Sequence, residues 1–196
     1  MPDSPQTRAT LLLRLRDDNR EAWNQFVEIY APLIHSYGMH HGLQDADAAD
    51  LAQEVLQSVS GAIKAFEYDP SRGAFRGWLF TVTRNKLRRL AGRAAQEPRG
   101  SGDTVANEML AQQPADVADE EYWTRSHKWR LFHWAAEQVK SGFQEATWKA
   151  FWRTSVENAS PNVVAAELGL SLGAVYIAKS RVLAKIRELI LSVEPE

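Results

Sequence analysis

The residues that invite a chemical question lie between Phe75 and Arg93, in the run FRGWLFTVTRNKLRRLAGR. Seven Lys or Arg and a single acid, Glu97, fall between positions 76 and 99. No nucleophile–base pairing and no phosphate-cradling glycine loop goes with them, so the chemistry on offer is binding rather than bond-making. Rings can stack on unpaired bases and guanidinium groups can hold phosphates, which makes Arg76 and Trp78 at the start of the run, and the bases further along it, candidates for nucleic-acid contact. On a helix, Phe75, Trp78, Leu79, Val82 and Leu90 share one side. Thr81, Arg84 and Arg88 fall on the other, where a polyanion could lie along them. An amphipathic core helix with a solvated basic edge satisfies the same pattern, and the run taken alone does not separate the two.

The rest of the chain bounds the reading. Its 196 residues, 44% of them hydrophobic, suffice for one ordinary domain or two small ones. A net charge of −2 is not that of a stand-alone nucleic-acid binder. The charge is segregated, however. Six acids stand against one base over residues 100–125, and Lys179, Arg181, Lys185 and Arg187 stand without an acid over residues 171–187. With no cysteine there is no disulfide framework, thiolate zinc site or cysteine nucleophile. Nothing resembles a signal peptide and no apolar run approaches membrane-spanning length, so a cytoplasmic chain without a membrane partner is expected.

The elements that must position these residues read as helices throughout. Residues 1–6 form a leader, Thr10 caps a short helix through about Arg16, and Asp17-Asp18-Asn19 ends it. The next helix, about Arg20 to Tyr37, carries Trp23, Phe26, Val27, Tyr30, Leu33, Ile34 and Tyr37 on one face, with Pro32 expected to kink it. His35, His40 and His41 near Asp45 and Asp47 have ligand types but no recognised ligand spacing, so no metal is expected. Asp47 is placed as the cap of a third helix with Leu51, Val55, Val59, Ala62 and Phe66 inward. Asp50, Gln53, Glu54 and Gln57 recur at helical spacing on its other face, either a solvated surface or a docking face for a partner helix. The turn-rich loop before Phe75, with Tyr68, Ser71 and Arg72, could form a pocket for an unstacked base.

Residues 95–118, rich in Ala, Gly, Gln, Pro and acids, read as a flexible acidic linker between a helical domain at 7–94 and a second at 119–193. The second opens with a tryptophan-rich helix, about Asp119 to Lys140, and a helix bearing Trp148, Phe151 and Trp152. Ser160-Pro161 then starts a short helix, Gly169 supplies a turn, and Ser171 caps a longer helix burying Val175, Ala178, Val182, Ile186 and Leu189. This is either a helical hairpin or a helix-turn-helix. In the second case Tyr176, Ile177, Ser180, Arg181 and Ala184 face the major groove, and Lys179 must snorkel outward to reach phosphate. The fold class is therefore all-α, two small helical domains joined by a linker, the second ending in a helix-turn-helix.

Four segments in this order resemble the extracytoplasmic-function (ECF) sigma factors of bacterial RNA polymerase, of the sigma-70 family. REAWNQFVEIYAPLIHSYG resembles the first helix of the promoter-melting domain, and DAADLAQEVLQSV the helix that docks on the polymerase clamp. FRGWLFTVTRNKLRRLAGR resembles the promoter-melting helix, and ELGLSLGAVYIAKSRVLAKIRE the terminal helix-turn-helix. The resemblance covers nearly all of residues 7–192. It implies a non-enzymatic factor that directs core RNA polymerase to promoter DNA and assists strand opening, without cofactor or small-molecule substrate. Asp50, Gln53 and Glu54, with Gln57 one turn on, would meet the clamp. The loop from Tyr68 to Ala74 would capture a flipped base, with Arg84, Asn85 and Arg88 along the neighbouring strand. Ser171 and the stretch Tyr176 to Arg181, which includes Lys179 and Ser180, would enter the distal promoter element. The acidic linker would thread toward the RNA exit path.

Two departures from the family pattern matter. Tyr176-Ile177-Ala178 stand where basic or small polar residues are usual, so direct base reading is weakened or rests on thymine-methyl contacts by Ile177 and Ala178. The tryptophan content of 119–140 leaves room for an anti-sigma factor or other regulator. Two rival readings remain at this stage. One is a one-component helix-turn-helix regulator that binds duplex DNA without polymerase, which leaves the aromatic–basic helix unexplained. The other is an anti-sigma-like scaffold with no DNA contact.

Overall fold

The computed structural model of the protein describes residues 11–64, 75–96 and 116–193, with residues 93–96 described by backbone alone. All regular structure among them is helical: α1 (Leu11–Arg16), α2 (Arg20–His40), α3 (Asp45–Ala62), α4 (Phe75–Gln96), α5 (Val117–Lys140), α6 (Glu145–Ser155), α7 (Pro161–Leu168) and α8 (Leu172–Val193). The expected leader, the Thr10 cap, Phe66, the loop bearing Tyr68, Ser71 and Arg72, and most of the 95–118 linker lie outside the described residues.

Packing divides the chain into two compact units, one built from Leu12–Arg130 and one from Leu131 onward together with Leu11. The boundary falls inside α5, whereas the sequence reading began its second domain at residue 119. The physical reason is that α5 is one helix buried at both ends, through Trp123 and His127 in its first half and Leu131, Ala135 and Val139 in its second. Successive steps of four turn the buried side around the helix axis, so each half can serve a different core.

In the first unit, Asn19 caps α2 by accepting the Ala22 N–H at 2.8 Å. The helix runs as one element from Arg20 to His40 with Pro32 inside it. Its buried face is Ala22, Phe26, Ile29, Tyr30, Leu33, Ile34 and Tyr37. Trp23 is half-buried and Val27 is 40% exposed, so both leave the core assigned to them and line a groove described below. The α2 and α3 backbones approach closely at Gly38, where a Cβ would stand 3.2 Å from methyl carbons of Leu43 and Leu51. Helix α3 begins at Asp45, with Gln44 rather than Asp47 at the cap position; Asp45 and Asp47 instead place charge in the first turn, where the helix dipole favours it. Ala48, Leu51, Ala52, Val55, Val59 and Ile63 carry its buried face, and Ala62 is only half-buried. Helix α4 joins through edge-on contacts of Phe75 with Phe26 (5.9 Å) and Tyr30 (6.0 Å), and through Lys86 Nζ to Glu54 Oε2 at 3.3 Å.

In the second unit, Trp148 and Phe151 of α6 pack with Ala135, Ala136 and Val139 of α5 and with Val182 and Ile186 of α8. A second cluster joins Ala150 of α6 to Val164 and Ala165 of α7 and Val175 and Ala178 of α8. Pro161 occupies the first turn of α7; Ser160 stands at the cap position, but its hydroxyl makes no capping bond. Gly169 takes the left-handed conformation (φ 63°) that ends α7, a backbone state glycine adopts without steric cost. Ser171 Oγ then accepts the Ala174 N–H at 3.1 Å and starts α8, whose axis turns by 104° from that of α7. No single helix among the described residues is long and apolar enough to cross a membrane.

Candidate functional site

The described residues singled out from sequence lie on α3 and α4 in the first unit and on α8 in the second. On α3, Asp50, Gln53 and Gln57 are exposed and Glu54 is half-buried. Gln53 and Gln57 border an open groove of about 740 Å³ between α2 and α3, floored by Trp23, Val27, Ala31, Pro32, Ala52 and Leu56. An apolar floor with the Gln53 and Gln57 amides on its rim suits an amphipathic partner helix. Glu54 differs from its neighbours because it is held by Lys86 across the α3–α4 contact. The sequence reading missed the groove floor because Trp23 and Val27 continue the apolar stripe of α2, and only packing shows which side of a wide stripe is left open.

Helix α4 departs further from expectation. Its buried residues are Phe75, Leu79, Phe80, Thr83, Arg84 and Leu87, while Trp78, Val82 and Leu90 are half-buried. Arg84, expected to face solvent, is 9% exposed, with its guanidinium carbon 5.8 Å from the centre of the Phe80 ring. The cause is a second neighbour. The first half of α5 covers this side of α4 and the adjoining side of α2. Trp123, 2% exposed, sits 5.4 Å from both Tyr37 and Phe80. His127 stacks on Tyr30 at 5.6 Å, and Tyr122 stacks on His40 at 3.8 Å.

Polar contacts hold the same seam. Asp119 accepts a hydrogen bond from the Tyr37 hydroxyl at 3.4 Å and pairs with His41 Nε2 at 3.2 Å, and Arg130 donates to Ser36 Oγ at 2.7 Å. Burial pushes the Tyr37 phenol far above its ordinary range; the Asp119 carboxylate adds to the rise, while Arg84 and Arg88 oppose it. The three histidines considered as metal ligands are thus accounted for pairwise: His41 by Asp119, His40 by Tyr122, and His35 by Asp45 at 3.1 Å.

The remaining α4 candidates are spread around the helix. Asn85 is half-buried, and its Oδ1 finds no hydrogen-bond partner among the described residues. Arg76, Trp78 and Arg88 are half-buried, and Trp78 lies 5.3 Å from Phe75. Arg89, not singled out from sequence, is exposed. The outward side available to a polyanion therefore runs through Gly77, Thr81 and Arg89, flanked by Arg76 and Arg88, rather than through Arg84. Tyr68, Ser71 and Arg72 lie outside the described residues.

On α8 the placement follows the helical period. Ser171, Gly173, Tyr176, Ile177, Ser180, Arg181 and Ala184 are exposed, and Lys179 is half-buried. Ala178, offered with Ile177 as a methyl-reading residue, is 5% exposed and belongs to the core with Val175. Lys185 is bound to Glu188 at 2.8 Å, which leaves Arg181 and Arg187 as exposed cations of this helix with no ion pair among the described residues.

Residues 26–96, the segment that folds as most of α2, all of α3 and α4, match the sigma-70 region 2 family. That match lies within the first unit and spans less than half of the chain. The ECF RNA polymerase sigma factor RpoE of Cereibacter sphaeroides is 32% identical over 85 residues, an alignment covering 42% of this chain and 46% of that protein. The chain therefore matches about half the length of this curated relative. The solved structure of CnrH in complex with the cytosolic domain of CnrY aligns with 92% of this chain and 94% of its own, at 22% identity and a TM-score of 0.36.

Proposed function

We propose that the chain is an ECF-type sigma factor, a non-enzymatic subunit that mounts on core RNA polymerase and directs it to particular promoters. The observation that carries this reading is the region 2 match over residues 26–96, which falls on the helices bearing the grooved face of α3 and the basic side of α4. Asp50, Gln53 and Gln57 dock on the polymerase, with the apolar groove beside them taking the partner's aliphatic side chains. Arg76, Trp78, Arg88 and Arg89 contact the separated promoter strand, with the loop Tyr68–Ala74 beside them. The α7–turn–α8 segment acts as a helix-turn-helix on the duplex distal element, its exposed stripe in the major groove. A net charge of −2 fits a subunit whose partner supplies much of the grip on phosphate; a solitary DNA binder needs its own strongly salt-dependent contacts. A regulator that binds duplex without polymerase has no use for a region 2, and that rival gains no support.

The docking face gives a clean test, because Asp50 and Gln53 are exposed and no hydrogen bond or ion pair holds either side chain among the described residues. The double variant Asp50→Lys/Gln53→Lys is expected to keep its melting temperature and to bind core polymerase at least about ten-fold more weakly, or roughly 1.4 kcal/mol. Competition binding with fluorescently labelled chain measures it, and wild-type affinity would remove this face from the interface. Glu54 is left out because Glu54→Lys also breaks the pair with Lys86.

A further inference from the structure

We infer that the α8 face is a thymine reader in which Ile177 sets specificity, packing against the C5-methyl of a thymine in the major groove. The inference rests on the sigma-factor reading for its DNA partner and goes beyond it in naming the base. Ile177 is 60% exposed and Tyr176 beside it 55%, two adjacent large side chains presented outward near the start of a capped helix. They lie on the same stripe as Ser180 and Arg181, opposite the buried Val175, Ala178, Val182 and Ile186.

Charge identifies what covers this stripe. From Ser171 to Arg187 the chain carries Lys179, Arg181, Lys185 and Arg187 and no acid, and although Lys185 is paired with Glu188, the exposed Arg181 and Arg187 leave a net positive face that suits a phosphate backbone. Within a groove, the side chains available then limit what can be read. Guanine, adenine and cytosine edges present acceptors or donors that need polar partners, and burying them against isoleucine leaves those groups unsatisfied. Thymine alone adds a methyl group to its major-groove edge, and an apolar side chain recognises it by contact. Ala178 cannot share the task, being turned into the core at 5% exposure. Arg181, one turn on, remains able to fork onto a neighbouring guanine or a phosphate.

The test uses full chain with core polymerase on its selected promoter, and replaces each thymine of the distal element in turn by deoxyuridine, which lacks only the methyl. At one position deoxyuridine is expected to weaken complex formation about four-fold, the worth of one methyl group withdrawn from water. In Ile177→Ala the same swap is expected to change affinity less than two-fold, with melting temperature unchanged because the residue is exposed. Thymine and deoxyuridine equivalent at every position, or an equal swap effect in wild type and Ile177→Ala, overturns the thymine assignment while leaving the sigma-factor reading intact. Absence of any polymerase-dependent protection of promoter DNA overturns both.

Discussion

Trp123→Ala is expected to lower the stability of the first unit by about 3–5 kcal/mol, the usual cost of deleting a buried indole. For a unit of this size that moves the melting transition down on the order of 10 °C or more. The effect is large because Trp123 joins three helices: it meets Tyr37 of α2 edge-on and Phe80 of α4 at 5.4 Å each, and it is 2% exposed. Its Nε1 finds no hydrogen-bond partner among the described residues, so the ring is held by packing alone. Trp123→Phe, which keeps an aromatic ring and discards the unpartnered N–H, is expected to recover most of the loss. Differential scanning calorimetry measures the stability. Amide hydrogen exchange locates it, since protection should fall along α4 and α2 and not only within α5. Unchanged protection of α4 would show that residues 117–130 contribute nothing to the first unit.

Arg84→Glu should be nearly as damaging. Arg84 is 9% exposed; its guanidinium lies over Phe80 and acts on the Tyr37 phenol in opposition to Asp119. A carboxylate there exchanges an attraction to the ring face for a repulsion and sets two negative charges near one buried phenol. A loss of about 3 kcal/mol or more is expected, in the range seen when one member of a buried charged set is removed. Arg84→Met keeps much of the aliphatic packing without the charge and should cost far less. Urea denaturation separates the two. The pair also tests, under the proposed function, whether Arg84 takes part in promoter opening. If Arg84→Met forms open complexes with permanganate reactivity close to wild type, the residue positions α4. If it folds normally and fails to open promoters, Arg84 touches the strand and α5 must leave its seat during initiation.

These two residues also mark where sequence stops predicting the site. The turn at Gly169, the Ser171 cap and the outward row from Tyr176 to Arg181 were readable because each depends on near neighbours: a left-handed glycine, a hydroxyl three residues from its N–H, and a 3.6-residue period. The burial of this side of α4 goes with Trp123 of α5, which packs on Phe80 and comes from a segment far along the chain, and no local pattern encodes that. One signal was present nonetheless. Phe80 and Leu87 make a second apolar row on α4, beside Phe75 and Leu79, and a helix with two such rows needs two neighbours. The division of α5 was hidden for the opposite reason. Buried residues recur at steps of four from Trp123 to Val139 with no break in the helix, so no local punctuation marks where one unit ends and the next begins. The docking face was legible as a row of polar residues on α3, but its apolar groove was not, because Trp23 and Val27 are indistinguishable by type from the core residues around them.

Under the proposed function, promoter choice belongs to this chain only when it is mounted on polymerase. This is tested most directly by transcription from a randomised promoter library with bacterial core RNA polymerase, core plus this chain, and the chain alone in a parallel duplex-binding assay. The account predicts transcripts from a subset of templates sharing two separated sequence elements, only where core and chain are both present, and no selective duplex capture by the chain alone. A transcript pool unchanged by adding the chain, or sequence-selective capture of duplex without polymerase, would contradict it.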